Sequence, residues 1–161
     1  MLNDKHYHLE RHDLAYNRKR FEIIIHKLRD NGYKITPQRL AIVKILAGSE
    51  GHPSVEDIYR EIKKDFPTMS LATVYRNIIL IKSFGEVLEL GFPDGSNRYD
   101  GNKPYSHPHV VCVKCKKIVD PKLDSLEDMK KEVSAETNFK ILNHRLDFFG
   151  ICSNCMTDKT L

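Results

Sequence analysis

The sequence S-L-A-T-V-Y-R-N-I-I-L-I-K-S occupies residues 70–83, and E-V-L-E-L-G-F-P-D-G-S-N-R-Y follows at 86–99. In the first stretch, apolar side chains recur at the spacing of one helix face, which holds Leu71, Val74, Ile78 and Ile81. The second stretch predicts two strands, at 86–92 and 97–99, around a Pro-Asp-Gly-Ser turn. A helix with one polar face, followed by a hairpin, is typical of a winged helix-turn-helix domain.

Three further helices are predicted upstream of this region. The first spans 21–30, where apolar residues again have helical spacing. Thr36 and Pro37 have the residue types of an N-cap and a first helical position, so they open the second helix. Ser54 and Asp57 have the spacing of a capping box and open the third helix. These helices complete the predicted winged helix.

Short strands and one helix are predicted in the remainder of the chain. Strands are expected at 109–113 and 117–119, on either side of a Cys-x-x-Cys pair, and a helix at 124–136. Residues 140–149 alternate in polarity, which predicts a longer strand directly before a second Cys-x-x-Cys pair.

These elements predict an α+β fold in four parts. A polar N-terminal extension occupies 1–20, and a winged helix-turn-helix domain occupies 21–100. A linker at 101–106 leads to a C-terminal α/β domain at 107–161. Hydrophobic residues make up 40% of the chain, which is enough for packed cores.

The two halves of the chain differ in charge. Residues 1–85 carry 15 Lys and Arg against 10 Asp and Glu, whereas residues 86–161 carry 11 against 12. A basic half next to a near-neutral half indicates a polyanionic partner for the first half, although many protein surfaces are mildly basic. No apolar run reaches the roughly 20 residues that span a bilayer, and the start lacks an apolar secretory signal. We therefore expect a cytoplasmic location and no membrane partner.

Four cysteines form two Cys-x-x-Cys pairs, Cys112 with Cys115 and Cys152 with Cys155, separated by 36 residues. Two such pairs can complete the tetrahedral thiolate shell that Zn²⁺ prefers. The alternatives are a redox dithiol or unrelated buried thiols. Because all four positions would be cysteines, the predicted zinc is structural, and no open position remains for catalysis. The H-x-E signature of zinc deaminases is also absent. We therefore predict that the protein is not an enzyme.

A second group of metal-ligand residue types lies around the first cysteine pair. His107 and His109 are two residues apart, so on an extended segment both imidazoles face the same way. Asp100 precedes them, Asp120 follows, and His52 lies far away in the sequence. Three imidazoles and two carboxylates suit Fe²⁺, Mn²⁺ or Zn²⁺. The alternative is that these are surface groups and loop caps, with His52 a turn residue before a proline.

Several motifs together resemble the ferric uptake regulator (Fur) family of metal-dependent repressors, over about residues 21–155. The motifs are T-P-Q-R at 36–39, H-P at 52–53, S-L-A-T-V-Y-R at 70–76, R-Y-D at 98–100, H-P-H-V-V-C-V-K-C at 107–115, and N-H-R-L-D-F-F-G-I-C-S-N-C at 143–155. The resemblance implies a homodimer that pairs through its C-terminal domains. It also implies that the winged helices bind an AT-rich, inverted-repeat operator in double-stranded DNA.

The resemblance also implies which residues contact DNA. The helix at 70–83 would enter the major groove with Tyr75 and Arg76 near bases and backbone, and Thr73 shares its polar face. Lys34 would lie near the adjacent groove and Arg39 near a phosphate. The residue types agree, because basic side chains supply salt-dependent affinity and an aromatic ring can contact thymine methyl groups. For Tyr75, core packing at the helix edge is the alternative.

The resemblance assigns His52, Asp100, His107, His109 and Asp120 to a regulatory Fe²⁺ or Mn²⁺ site. Such a site would tie the winged helix to the dimerisation domain, so that metal and operator raise the affinity for each other. Aspartate at both acidic positions resembles the peroxide-responsive (PerR) branch, in which bound iron and peroxide oxidise the residues matching His52 and His107. The alternative is a regulator of iron, manganese or zinc uptake.

An additional metal site found in many iron sensors is incomplete in this sequence. Only Glu127 and His144 remain of its ligands, and each also fits a purely structural role. Glu127 and Asp124 have the spacing of a capping box, and His144 could be a packed strand residue. Three further histidines lie in the N-terminal extension, which we interpret as solvated, with metal binding or DNA contact as the alternatives: His6, His8 and His12. A zinc-dependent hydrolase and a zinc-ribbon interaction module are the alternatives from other functional classes.

Overall fold

The computed structural model of the chain describes residues 4–49, 51–92 and 96–157. The chain divides between residues 104 and 105 into two units. In the described part, none of the helices combines the length and hydropathy that crossing a bilayer requires. The predicted turn at 93–96 lies largely outside the described residues.

The first unit contains four helices and a two-stranded antiparallel hairpin. Its elements are α1 (Asp4–Asp30), α2 (Pro37–Gly48), α3 (Val55–Ile62), α4 (Leu71–Ser83), β1 (Leu88–Gly91) and β2 (Asn97–Asp100). One apolar core joins all four helices to the hairpin, and among its fully buried members are Leu28, Leu46, Ile58, Ile78 and Tyr99. The winged-helix prediction is confirmed, because the helices and hairpin occur in the predicted order.

Side-chain caps fix where three of these helices begin. Thr36 accepts a hydrogen bond from the Arg39 amide at the start of α2, and Ser70 accepts one from the Thr73 amide at the start of α4. At α3, Ser54 accepts from the Asp57 amide while Asp57 accepts from the Ser54 amide, which completes a capping box. The caps predicted at Thr36 and Ser54 are therefore confirmed.

Helix α1 is longer than the sequence pattern predicted. The sequence pattern predicted a helix at 21–30 and, before it, an extension in which some helix was possible, whereas α1 begins at Asp4. Residues 4–20 contain no glycine or proline to interrupt a helix, and Arg18 pairs with Glu22 one turn later. Buried Arg20 belongs to this part of α1, so the extension is not wholly solvated.

The second unit is a three-stranded sheet with two helices. Its elements are β3 (His109–Cys112), β4 (Ile118–Val119), α5 (Leu126–Thr137), β5 (Asp147–Gly150) and α6 (Ser153–Thr157). The strand order is β4-β3-β5, with β4 antiparallel and β5 parallel to β3. The pairing of His109 with Asp147 and of Cys112 with Gly150 sets the register of the parallel pair.

Two local predictions for the second unit are wrong. The strand predicted at 140–149 is limited to β5, because β3 begins at His109, which pairs with Asp147 and reaches back only to the Leu146 carbonyl oxygen through its amide. Leu142, an apolar residue of this stretch, is 84% exposed. The capping box proposed for Glu127 is not formed either, because Ser125 is the N-cap of α5 and makes no side-chain cap bond.

The close packing of Gly101 against α2 gives a stability prediction. A Cβ atom at residue 101 would lie 2.8 Å from Leu46 Cβ and 2.9 Å from the Leu46 carbonyl oxygen. We expect Gly101→Ala to destabilise the first unit by about 1–3 kcal/mol, through forced backbone or side-chain shifts. Denaturant unfolding followed by the helical circular dichroism signal measures this change.

Gly51→Ala is the matched control, because a Cβ atom at residue 51 would have no described atom within 4 Å. Its expected effect is within about 0.5 kcal/mol of zero. Equal unfolding midpoints for the two variants would contradict the packing constraint at Gly101.

Candidate metal centres

The four cysteines converge at one end of the sheet in the second unit. Each Cys-x-x-Cys pair begins at or just after the end of β3 or β5, and these strands are parallel, so their carboxyl ends meet at one edge. One sulfur atom from each cysteine lies within 4.8 Å of the others, and Cys115 Sγ lies 3.7 Å from Cys152 Sγ. All four are free thiols rather than disulfides.

The thiols of this cluster differ in acidity. Backbone amides, first that of Cys152 and then that of Cys115, lower the pKa of Cys112 to about 6 by stabilising its thiolate. The neighbouring side chains of Cys152 and Cys115 raise the pKa of Cys155 to about 12. The thiolate form of Cys112 is therefore stabilised, whereas the thiol form of Cys155 is favoured.

Divalent zinc fits this donor set. A tetrahedral shell with Zn–S bonds of about 2.3 Å places its sulfur atoms about 3.8 Å apart, close to the separation of Cys115 and Cys152. A divalent cation would bind the Cys155 thiolate directly, and so replace the hydrogen bonds to neighbouring sulfur atoms that favour its protonated form. The cluster can hold a structural Zn²⁺ with four thiolates.

Imidazoles and carboxylates converge at the opposite end of the same sheet. His107 precedes β3, His109 begins it, and Asp120 follows the antiparallel β4. His107 Nε2 lies 3.4 Å from Asp120 Oδ2, and His109 Nε2 lies 4.0 Å from Asp120 Oδ1. The two imidazole centroids are 4.3 Å apart. These side chains are at most 16% exposed, so the group lies in a largely desolvated setting.

The other imidazole nitrogens of this group face acceptors. His107 Nδ1 is 2.8 Å from the Tyr105 carbonyl oxygen, which can only accept a hydrogen bond. His109 Nδ1 is 3.4 Å from Asp147 Oδ1. A proton on each Nδ1 leaves the Nε2 lone pairs on the side of Asp120, as metal ligation requires. Asp147 lies within the N-H-R-L-D motif at 143–147, but this role was not predicted from the sequence.

His52 and Asp100 come together in the first unit. His52 lies in the loop before α3, and its Nε2 is 3.4 Å from Asp100 Oδ2 at the end of β2. The residues next to them are also hydrogen-bonded, because the Tyr99 amide donates to the Pro53 carbonyl oxygen at 3.0 Å. Both side chains are buried, and His52 has φ of 50°, in the left-handed region. Such strain of about 1–3 kcal/mol persists only where the surroundings enforce it, often at functional sites.

Residues 30–149 match the sequence profile of the Ferric uptake regulator family. This match covers well over half of the chain. The chain belongs to the Fur family. Family members are dimeric, DNA-binding transcriptional regulators that respond to metals.

Individual relatives agree with this membership. The peroxide-responsive repressor PerR of Staphylococcus saprophyticus is 42% identical over 134 residues, which cover 81% of this chain and 88% of that protein. The Helicobacter pylori ferric uptake regulator, whose structure reveals three functional metal binding sites, superimposes with a TM-score of 0.78. It is 25% identical, and the match covers 89% of this chain and 96% of that one. The Vibrio cholerae ferric uptake regulator superimposes with a TM-score of 0.69. It is 30% identical, and the match covers 79% of this chain and 98% of that one.

The residues expected to contact DNA in this Fur family member lie on α2, on α4 and in the loop before α2. Tyr75 is 47% exposed, and Arg76 and Lys34 are also exposed. Arg39 donates to the Asn77 side chain at 2.8 Å, which holds the guanidinium group against α4. Thr73 is half-buried.

The residues of the incomplete additional site do not form a ligand group with a third side chain among the residues described. Glu127 is paired with Lys130 at 2.7 Å, and this pair lowers the pKa of Glu127. His144 Nε2 is buried and has no hydrogen-bond partner within the described part of the chain. The side chains of His6, His8 and His12 lie outside what the structure describes.

The cysteine cluster predicts that each chain holds one zinc ion through all four thiolates. We expect Cys115→Ser to abolish zinc binding, because a hydroxyl group does not replace a thiolate. We also expect faster amide exchange at residues 109–119, because zinc binding stabilises the folded unit. Elemental analysis after desalting and hydrogen-exchange mass spectrometry measure both effects.

Ser153→Ala changes a residue inside the second Cys-x-x-Cys turn without removing a thiol, and it should retain a full complement of zinc. Zinc retained by Cys115→Ser at the wild-type level would show that the four cysteines do not share one ion.

Proposed function

We propose that this Fur family protein is a peroxide-sensing repressor that binds its operator when a regulatory Fe²⁺ or Mn²⁺ ion is bound. The observation that carries this proposal is the group of His107, His109 and Asp120, whose side chains are at most 16% exposed, with both Nε2 atoms turned toward one carboxylate. Relatives named as peroxide-responsive repressors support the choice of signal.

One ion is proposed to bind the residues of both units. His52 and Asp100 of the first unit would complete the ligand set of His107, His109 and Asp120. Three imidazoles and two carboxylates suit Fe²⁺ or Mn²⁺, whereas the all-thiolate shell suits Zn²⁺. Occupancy of this set would favour one arrangement of the units, and operator binding would favour the same arrangement, so each raises the affinity for the other.

The operator proposed is an AT-rich inverted repeat that two chains bind together. Lys34, Arg39, Thr73, Tyr75 and Arg76 would contact it, with the exposed face of α4 in the major groove. Two-fold symmetry of the protein would match the symmetry of the repeat. We expect such a regulator to be located in the cytoplasm.

Pairing of the C-terminal units would form the homodimer. Strand β5 lies at the edge of its sheet, so one side of its backbone is open for a further strand. Phe148 and Phe149 on this strand are 45% and 57% exposed. Large apolar side chains on an edge strand are a common feature of homodimer interfaces.

Peroxide would act by changing the ligands themselves. A bound Fe²⁺ ion would supply the electron transfer that activates hydrogen peroxide at this site. Overall, one imidazole and one hydrogen peroxide give an oxo-imidazole and water, as a ring carbon gains an oxygen atom in a two-electron oxidation. His52 and His107 are the proposed targets. The oxidised ring is a poorer ligand, so the site releases its metal and the protein leaves DNA.

Metal-dependent operator binding tests the regulator assignment. Duplexes selected from a random library with the Mn²⁺-loaded protein provide the operator for a mobility-shift titration. We expect His109→Ala to lose the metal-dependent part of the affinity, which we place at about 5–150-fold for a coupling of this kind. His26→Ala, on the exposed side of α1, is the control and should bind like the wild type. A His109→Ala protein that keeps its full response to Mn²⁺ would refute this site.

Peptide mass spectrometry tests the peroxide signal. After Fe²⁺ loading and peroxide treatment, peptides containing His52 or His107 are expected to gain one oxygen atom, with parallel loss of operator binding. The same protein loaded with Mn²⁺ is the control and should remain unmodified. If both histidines stay intact and the DNA stays bound, the alternative of a metal-uptake regulator replaces the peroxide sensor.

A further inference from the structure

A buried arginine in the N-terminal part of α1 contacts the segment that carries Asp100. Arg20 is 7% exposed and makes three hydrogen bonds. Its Nε donates to the Gly101 carbonyl oxygen at 3.1 Å, Nη1 to Glu86 Oε2 at 2.9 Å, and Nη2 to the Glu86 carbonyl oxygen at 3.2 Å. One side chain therefore joins α1 to both ends of the hairpin.

A second residue of the same helix contacts this segment one turn earlier. The Tyr16 hydroxyl group donates to the Asn102 carbonyl oxygen at 3.2 Å. On its other side, Gly101 is packed so closely against Leu46 of α2 that a side chain there would clash. The backbone after Asp100 is thus held between α1 and α2.

The held segment orients the Asp100 carboxylate. The amides of Asn102 and Lys103 donate to Asp100 Oδ1 at 2.8 and 2.7 Å. The other oxygen, Oδ2, is the one that lies 3.4 Å from His52 Nε2. Moving the backbone at 101–103 would rotate this carboxylate relative to His52.

We propose that Arg20 and Tyr16 are positioning residues that hold the turn at 100–103 and thereby set the affinity of the regulatory metal ion. The N-terminal part of α1 would thus tune the sensor, although neither residue binds the ion. This inference depends on the proposed role of Asp100 as a ligand. It gives a role to a part of α1 that the sequence indicated to be mainly a solvated extension.

The Glu86 carboxylate allows this role to be separated from general stability. Burial opposes its charge, but Lys27 and Arg20 outweigh burial and lower the pKa of Glu86. Lys27 Nζ lies 2.9 Å from Glu86 Oε1, so it still neutralises Glu86 when Arg20 is replaced. Lys27 also donates to the Phe84 carbonyl oxygen, and none of its described hydrogen bonds or ion pairs reaches residues 100–103. Arg20→Met and Lys27→Met therefore remove one cation each from the same carboxylate, but only the first loses a bond to the turn.

The test compares full-length wild type, Arg20→Met, Lys27→Met and Tyr16→Phe. Isothermal titration with Mn²⁺ gives the metal affinity of the zinc-loaded proteins. Arg20→Met is expected to bind Mn²⁺ about tenfold more weakly, and Tyr16→Phe about threefold, as loss of a charged and of a neutral hydrogen bond implies. Lys27→Met should bind like the wild type.

Hydrogen exchange supplies a readout that does not need the regulatory metal. In the zinc-loaded protein without Mn²⁺, the Asn102 and Lys103 amides should exchange faster in Arg20→Met and Tyr16→Phe, and at the wild-type rate in Lys27→Met. Thermal melts show which variants are folded, and Tyr16→Phe carries the test if Arg20→Met does not fold.

Equal losses of Mn²⁺ affinity in Arg20→Met and Lys27→Met would overturn the inference in favour of general destabilisation. Unchanged affinity in both Arg20→Met and Tyr16→Phe would also overturn it. Asp100→Asn separates this inference from the proposed function. If Asp100→Asn binds Mn²⁺ like the wild type, Asp100 is not a ligand and the proposed site itself has failed. In that case the exchange rates still report whether α1 holds the turn.

Discussion

Parallel pairing of β3 with β5 is the constraint on which both chemistries of the second unit depend. It brings the two Cys-x-x-Cys turns to one end of the sheet and leaves His107, His109 and Asp147 at the other. Antiparallel β4 returns the chain to that second end and delivers Asp120. A parallel pair needs a long connection, which residues 113–146 supply. One sheet of short strands therefore separates a thiolate site from an imidazole and carboxylate site.

Little apolar burial supports this sheet. Among the residues described in the second unit, only Val111, Cys112 and Ile118 are buried hydrophobic residues. The first unit, in contrast, contains the whole of the large core cluster. A unit with so small a core requires an additional link or a partner subunit to remain folded. Thiolate coordination at the carboxyl ends of β3 and β5 would supply such a link at the point where the register is set.

The sequence was informative wherever a local pattern decides the structure. The caps at Thr36 and Ser54, the apolar face of α4 and the hairpin all depend on residues a few positions apart. The paired cysteines were equally clear, because their spacing is itself the signal.

The errors occurred where a distant partner decides the outcome. Residues 140–145 alternate like a strand, yet no strand pairs with them in the described part of the second unit. The same distinction explains what was missed at the candidate sites. Arg20 stands in a basic run and looks like a solvated charge, but Glu86 and the Gly101 carbonyl oxygen, far along the sequence, make it a buried anchor. Asp147 faces His109 only because the parallel register aligns the two residues.

The two donor sets also suit opposite demands on binding. A sensor must exchange its ion within the range of cellular supply, and a structural link must not. Four thiolates with backbone amides directed at Cys112 favour retention of a soft cation. Imidazoles and carboxylates bind harder divalent ions less tightly, so modest changes in geometry shift their occupancy. Under the proposed function, the orientation of one ligand carboxylate, such as that of Asp100, would control the sensing range, because that range follows from the free energy of metal binding at the site. Selection for a given sensing range could therefore act on α1 and on the turn at 100–103 without changing a single ligand.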